Sequence, residues 1–123
     1  MKLNRFGQSE LLVSEIGLGC MSLGTDETQA AALIHEALER GVNFLDTADL
    51  YHEGLNEEMI GRAIRGRRGD VVLATKVGNR WEAGKEGWTW DPSKTYIKAA
   101  VKDSLRRLQT DYIDLYQLHG GTL

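Results

Sequence analysis

Asp46, Tyr51, Lys76 and His119 are the residues of this sequence whose types and placement could do chemistry together. A phenol, with an unperturbed pKa near ~10, is a poor proton donor at neutral pH, and an ammonium set beside it lowers that pKa by stabilising the phenolate. Lys76 can supply that ammonium. A buried lysine tends to lose its proton, and a neighbouring carboxylate, Asp46, would keep it charged and in place. His119 can donate a hydrogen bond to a substrate oxygen and so bring a carbonyl next to the phenol. Such a set would protonate an oxygen while a nucleophile attacks its carbon. No activated serine or cysteine and no metal cluster belongs to the set, so a hydride delivered by a cofactor completes the logic.

The elements that must position these side chains are strands. Gly41-Val-Asn-Phe-Leu-Asp-Thr-Ala-Asp-Leu-Tyr51 holds a short apolar strand, Val42 to Leu45, and Asp46 stands where it runs out into a loop. Val71-Val-Leu-Ala-Thr-Lys76 ends in the lysine, and Tyr112-Ile-Asp-Leu-Tyr-Gln-Leu-His119 ends in the histidine. A single Asp, Lys or His at a strand end is more often a cap or a surface residue; three in succession reverse that reading. The C-terminal ends of strands are where parallel α/β barrels gather their catalytic residues.

Between the strands the periodicity becomes helical. Thr25-Asp26 offers an N-cap for Ala30, Leu33, Ile34, Ala37 and Leu38, and Gly41 ends that helix. Leu55 to Ile64 follows with Asn56 as its cap, acids in the first turn and an arginine near its end. Ser93 caps a third helix through Ile97, Val101, Leu105 and Leu108. Ahead of these, Ile16 to Met21 is a strand whose glycines allow a close approach to the backbone or simply give packing room. Lys2 to Phe6 and Leu11 to Val13 flank the turn Gly7-Gln-Ser-Glu10 and predict a β-hairpin. The order is hairpin, β, α, β, α, β, α, β, with connections that fit right-handed crossovers to a parallel sheet. Four strands cannot close a barrel that needs eight. The chain is therefore expected to be one unit over 1–123, the N-terminal half of a (β/α)8 barrel of TIM type, with the hairpin over 1–14 and βαβαβαβ over 15–123.

The bulk properties narrow the function. At 123 residues, with 41% apolar and 27% charged side chains, this is a folded domain or part of one. A net charge of −3 gives no basic field for a phosphate backbone, so nucleic acid is not an expected partner. The N-terminus lacks the apolar region of a signal peptide and no run is long enough to span a bilayer, so a cytoplasmic protein without a membrane partner is expected. Cys20, the sole cysteine, rules out an internal disulfide and reads as a core or rim residue. Arg62, Arg65, Arg67 and Arg68 read as a solvated basic face at a helix end. His35 and His52 read as solvated or structural, and Asp49, Glu53, Glu57 and Glu58 as loop and helix-start charges without metal-site spacing. Trp81, Trp88 and Trp90 fall in a long loop, Gly78 to Asp91, where they could wall a pocket or anchor the loop.

The residues also carry a family resemblance. The Gly41 to Tyr51 segment followed by Asn56-Glu-Glu-Met-Ile-Gly61, Ala74-Thr-Lys76-Val77, Asp111-Tyr-Ile-Asp-Leu-Tyr-Gln-Leu-His119 and Val13-Ser-Glu-Ile-Gly-Leu-Gly-Cys-Met21 together resemble the aldo-keto reductase family. The resemblance covers essentially the whole chain. It implies a (β/α)8 barrel closed at its base by the hairpin, and reduction of an aldehyde or ketone with NADPH. By that resemblance Tyr51 is the general acid, Lys76 and Asp46 tune it, and His119 orients the carbonyl. The backbone of Gly19, Cys20 and Met21, with Asp46, would lie beside the nicotinamide and its ribose. His52 stands where many members have glycine. The family's second half, which carries most contacts to the NADPH phosphates and adenine, has no counterpart in these residues, so the isolated chain is expected to be incomplete for catalysis. A carbonyl compound is the expected small-molecule partner, and self-association of half-barrels is a further expectation. The alternative is a non-catalytic truncated or regulatory module resembling potassium-channel β subunits, which share the fold.

Overall fold

Runs of Val, Leu and Ile that alternate with amphipathic helices imply a sheet covered by those helices, and here one core lies between the two. The computed structural model describes residues 1–120. Four parallel strands, β3 (Gly17–Gly19), β4 (Phe44–Asp46), β5 (Val72–Val77) and β8 (Leu115–Leu118), lie side by side in that order. Asp46 pairs with Gly19 on one side and Ala74 on the other, and Lys76 pairs with Gln117. The pairing thus levels the C-terminal ends of all four strands.

Helices α1 (Glu27–Glu39), α2 (Leu55–Ala63) and α3 (Lys94–Leu108) make the crossovers. Asp26 caps α1 by accepting from the Gln29 amide, and Ser93 caps α3 by accepting from that of Tyr96, as their sequence positions predict. Ala30 and Ile34 of α1 are buried, whereas Leu33 is exposed, so the buried stripe is narrower than the periodicity implied. Ile34, Leu45, Ile60, Ile64, Leu73 and Leu108 form the core between sheet and helices. Gly61 is the closest approach of α2 to α3. A Cβ there would meet the Arg107 carbonyl oxygen at 2.6 Å and the Leu108 carbonyl carbon at 2.7 Å, backbone that cannot step aside.

The N-terminal hairpin, β1 (Leu3–Arg5) paired antiparallel with β2 (Leu12–Ser14), is fastened to the sheet at Asn43, whose backbone amide also donates to Ser14 Oγ at 3.0 Å. Asn43 accepts from the Ser14 amide at 2.7 Å and donates to the Leu12 carbonyl at 2.9 Å, standing in for a strand neighbour. Met1 lies against Gly41, whose positive φ of 93° turns the chain out of α1. The Gly78 to Asp91 segment, expected as a loop, contains a small antiparallel ribbon of β6 (Asn79–Arg80) and β7 (Thr89–Trp90). Trp90 presses on Gly78, where a Cβ would come within 2.5 Å of its ring, so this tryptophan anchors the ribbon. Trp88 is exposed, and Trp81 lies under the Arg107 guanidinium at 5.7 Å.

Three further expectations are corrected by the packing. Asn56 is no helix cap: it is fully buried, and the residue at the cap position is Gly54. Asp49 and Glu57 hold the loop and helix-start places expected of them, but as buried carboxylates rather than solvated ones. Arg68 is no part of a solvated face. Its guanidinium donates to the Val71 and Tyr112 carbonyls, pairs with Asp114 at 3.0 Å and lies 3.8 Å over the Tyr112 ring. Asp114 in turn accepts from the Leu73 amide, which pins the entry of β8 beside β5. Among the described residues, no helix is long and apolar enough to cross a membrane.

Candidate active site

The levelled strand ends place the four candidate side chains together. Asp46 is the last residue of β4, Lys76 the last but one of β5, and His119 follows β8, its amide continuing the ladder to the Val77 carbonyl at 2.8 Å. Asp46 and Lys76 share a face because Asp46 pairs with Ala74, and Lys76 lies two residues beyond Ala74 on the same side of the pleat. Lys76 Nζ donates to Asp46 Oδ1 and to the Thr47 carbonyl, both at 2.8 Å. Two acceptors hold the ammonium in one place. It lies 5.5 Å from the centre of the Tyr51 ring. Tyr51 meets His119 edge to face, with ring centres 5.7 Å apart.

His119 Nδ1 is buried with no hydrogen-bond partner in the described structure. Burial first, and the Lys76 charge second, hold this imidazole below its ordinary pKa, with Asp46 opposing them. The ring is therefore neutral at pH 7, with one nitrogen able to carry a hydrogen and donate it.

Thr47 and Asn56 support the site; the sequence pattern did not single out Thr47, and it offered Asn56 only as a helix cap. Thr47 Oγ1 donates to Asn56 Oδ1 at 2.5 Å, and Asn56 Nδ2 donates to the Cys20 carbonyl at 2.7 Å. The Cys20 amide donates to the Asp46 carbonyl at 2.8 Å. One buried amide thereby ties the Gly19 to Met21 segment to the loop that carries Lys76's acceptor. The signal that could have found Asn56 is its place between Leu55 and Met59 on a helix whose inner face is apolar. Cys20 itself turns inward, and burial pushes its thiol up to about 12, so only its backbone is available at the site. A Cβ at Gly19 would meet nothing within 4 Å, and Met21 beside it is 62% exposed. The lip next to Asp46 is thus open backbone, which suits a flat ring and its sugar.

Directly after Tyr51 the chain does something unusual: His52 and Glu53 both adopt left-handed backbone, with φ of 49° and 51°. Two such non-glycine residues in a row are strained and persist only where the surroundings fix them. Gly54, at φ 89°, completes the turn into α2.

The sequence model described as "Aldo/keto reductase family" matches residues 15–120. This chain belongs to the aldo/keto reductase family. It is 63% identical over 123 residues to the "Uncharacterized oxidoreductase YqkF" of Bacillus subtilis, covering 100% of this chain and 40% of that protein. The holo form of aldo-keto reductase AKR11C1 from Bacillus halodurans superposes with a TM-score of 0.97 at 71% identity, covering 99% of this chain and 41% of that one. A Klebsiella pneumoniae aldo-keto reductase in complex with NADPH matches at 40% identity and a TM-score of 0.79, covering 99% and 40%. The chain spans about two fifths of the length of these relatives. Its parallel sheet and three helices are part of the (β/α)8 barrel of this oxidoreductase family, as the sequence led us to expect.

Proposed function

We propose that this chain carries the proton-transfer half of an NADPH-dependent reduction of an aldehyde or ketone to an alcohol, with Asp46, Tyr51, Lys76 and His119 in the site. The observation that supports it most is the Lys76 ammonium, held by Asp46 and the Thr47 carbonyl and facing the Tyr51 ring, with His119 edge-on to the same ring. His119, neutral and desolvated, donates to the carbonyl oxygen and holds it by the phenol. Tyr51 gives its proton to that oxygen as the carbon is reduced. Lys76 stabilises the phenolate left behind, and Asp46 keeps Lys76 charged and fixed. Reduced nicotinamide would supply the hydride.

The residues fit the nicotinamide end of such a cofactor: open backbone at Gly19, the exposed Met21, the Cys20 carbonyl oriented by Asn56, and Asp46 beside them. Its phosphates find less here. Arg40, Arg62, Arg68, Arg80, Arg106 and Arg107 are each engaged by a carboxylate. Relatives solved with NADP or NADPH favour NADPH over NADH.

A non-catalytic role is the second reading, favoured by this one-ended support for the cofactor. Carbonyl-dependent NADPH oxidation separates the two. It is measured on the chain itself and on a chimera in which the chain replaces the matching two fifths of the Bacillus halodurans reductase. Turnover by the chimera, lost in Tyr51→Phe, is the expected result. Equal rates with and without the hydroxyl would remove Tyr51 from its role. The outer strands β3 and β8 each lack one neighbour among the described residues, and Leu118 is exposed on β8. The 123-residue chain alone should therefore self-associate through these edges. Sedimentation as a well-behaved monomer would refute that.

A further inference from the structure

Behind the sheet, on the face away from Lys76, lies a second polar cluster that the reaction just described does not use. Its centre is Glu57, in the first turn of α2 and completely buried. Glu57 Oε2 accepts from Thr75 Oγ1 at 2.8 Å. Oε1 accepts from Arg107 Nε at 2.8 Å and from Ser104 Oγ at 3.2 Å, and Arg107 Nη2 pairs with it at 2.7 Å. Thr75 is the residue directly before Lys76. Arg107 also backs the turn that follows Tyr51: a Cβ at Gly54 would stand 2.8 Å from its Cδ. The left-handed pair His52 and Glu53 lies between the tyrosine and this clamp.

We infer that Glu57 is a positioning residue for the reaction: one buried carboxylate ties the strand of Lys76 to the turn of Tyr51, with Arg107 as the clamp. The inference rests on the reductase reading for its kinetic consequence, but not for its structural one. Thr75 and Lys76 leave adjacent points of β5 on opposite faces, so a shift at Thr75 is a shift at Lys76. The strained turn by itself has no reason to hold the phenol at a fixed distance from that ammonium. An anchor with three donor side chains, three residues beyond Gly54, supplies one.

The test uses Thr75→Val, which removes only the strand tether, and Glu57→Gln, in which Asp49 remains to face Arg107. In the chimera, kcat is expected to fall about 10- to 100-fold with the carbonyl KM within about twofold, the range for a misplaced reacting group. Thr75→Ser is expected to restore it. Independently of turnover, the nuclear Overhauser contact between the Tyr51 and His119 rings is expected to weaken in Thr75→Val of the folded chimera and to persist in Ser104→Ala. If thermal stability drops while kcat and the ring contact stay as in the parent, Glu57 is only a structural anchor and the inference fails. An inactive parent chimera would count against the reductase reading alone, because the ring contact still reports whether Glu57 sets the geometry.

Discussion

Lys76 and Thr75 leave β5 on opposite faces, and the carboxylates they meet are held in opposite ways. On the inner face Asp46 receives one side-chain donor, its side chain 36% exposed and that of Lys76 16%. His119 Nδ1 has no hydrogen-bond partner there among the described residues. On the outer face Glu57 is fully buried and accepts three hydrogen bonds, one of them from an Arg107 that also pairs with it and whose side chain is 12% exposed. The outer pair is complete without a third molecule. The inner pair leaves hydrogen-bonding capacity free, as a site that must act on something else requires. The same pairing of a carboxylate with a cation thus makes a joint where it is saturated, and leaves the free capacity that the proposed site needs where it is not.

The sharpest way to break this contrast is to remove each cation. Arg107→Met strands Glu57 and Asp49 without a counter-charge in the layer between sheet and helices. Urea denaturation should show a loss of about 3–5 kcal/mol, in the range for breaking a buried pair. Lys76→Met leaves only the half-solvated Asp46, and the same measurement should show less than about 1 kcal/mol while turnover by the chimera disappears. Equal losses in the two variants would mean that the inner pair is as structural as the outer one.

Asp49 sharpens the comparison in a second way. Burial, then the Glu57 charge, raise its carboxyl to about 7 from an ordinary value of 3.8, against the pull of Arg107, and Oδ1 finds no partner. Tyr96 and Tyr116 face it as well, their hydroxyls raised first by their own burial and then by its charge. Because the folded pKa lies above the unfolded one, the folded state holds the proton more tightly. The stability this gives is complete below about 4 and is lost as pH rises through about 7. Asp49→Asn should therefore be more stable than the parent at pH ~8 by on the order of 2–4 kcal/mol and nearly equal to it at pH ~4. The smallest effect concerns His119. Its imidazole titration, followed by NMR, should have a midpoint below the ordinary 6.5. A midpoint above that would place a negative charge, rather than burial and Lys76, in control of the ring.

Most of the inner face was legible in the sequence because its signals are local. Each of Asp46, Lys76 and His119 closes its own apolar run, and caps such as Asp26 and Ser93 act on amides three residues away. The outer face was not legible. Glu57 looks like any acid in a first helical turn, and its partner Arg107 lies 50 residues further on. Arg68 looks like a helix-end charge until Asp114, 46 residues later, is packed beside it. Asn56 occupied a plausible cap position, yet tertiary contacts to Thr47 and Cys20 claimed it. Polar side chains whose partners come from distant elements show no periodicity, so pattern alone assigns them to the surface.

The Asn43 fastening has a consequence for the timing of synthesis. The bonds it makes to the hairpin, and the contact of Met1 with Gly41, close within the first 43 residues, so hairpin and α1 can come together as soon as that stretch leaves the ribosome. The clamp on the tyrosine's turn must wait for Arg107. At ~5–20 residues per second that wait lasts several seconds. Through that interval the nascent chain carries a fastened hairpin beside an unset Tyr51, and the geometry on which the proposed reaction depends forms only after Arg107 has emerged.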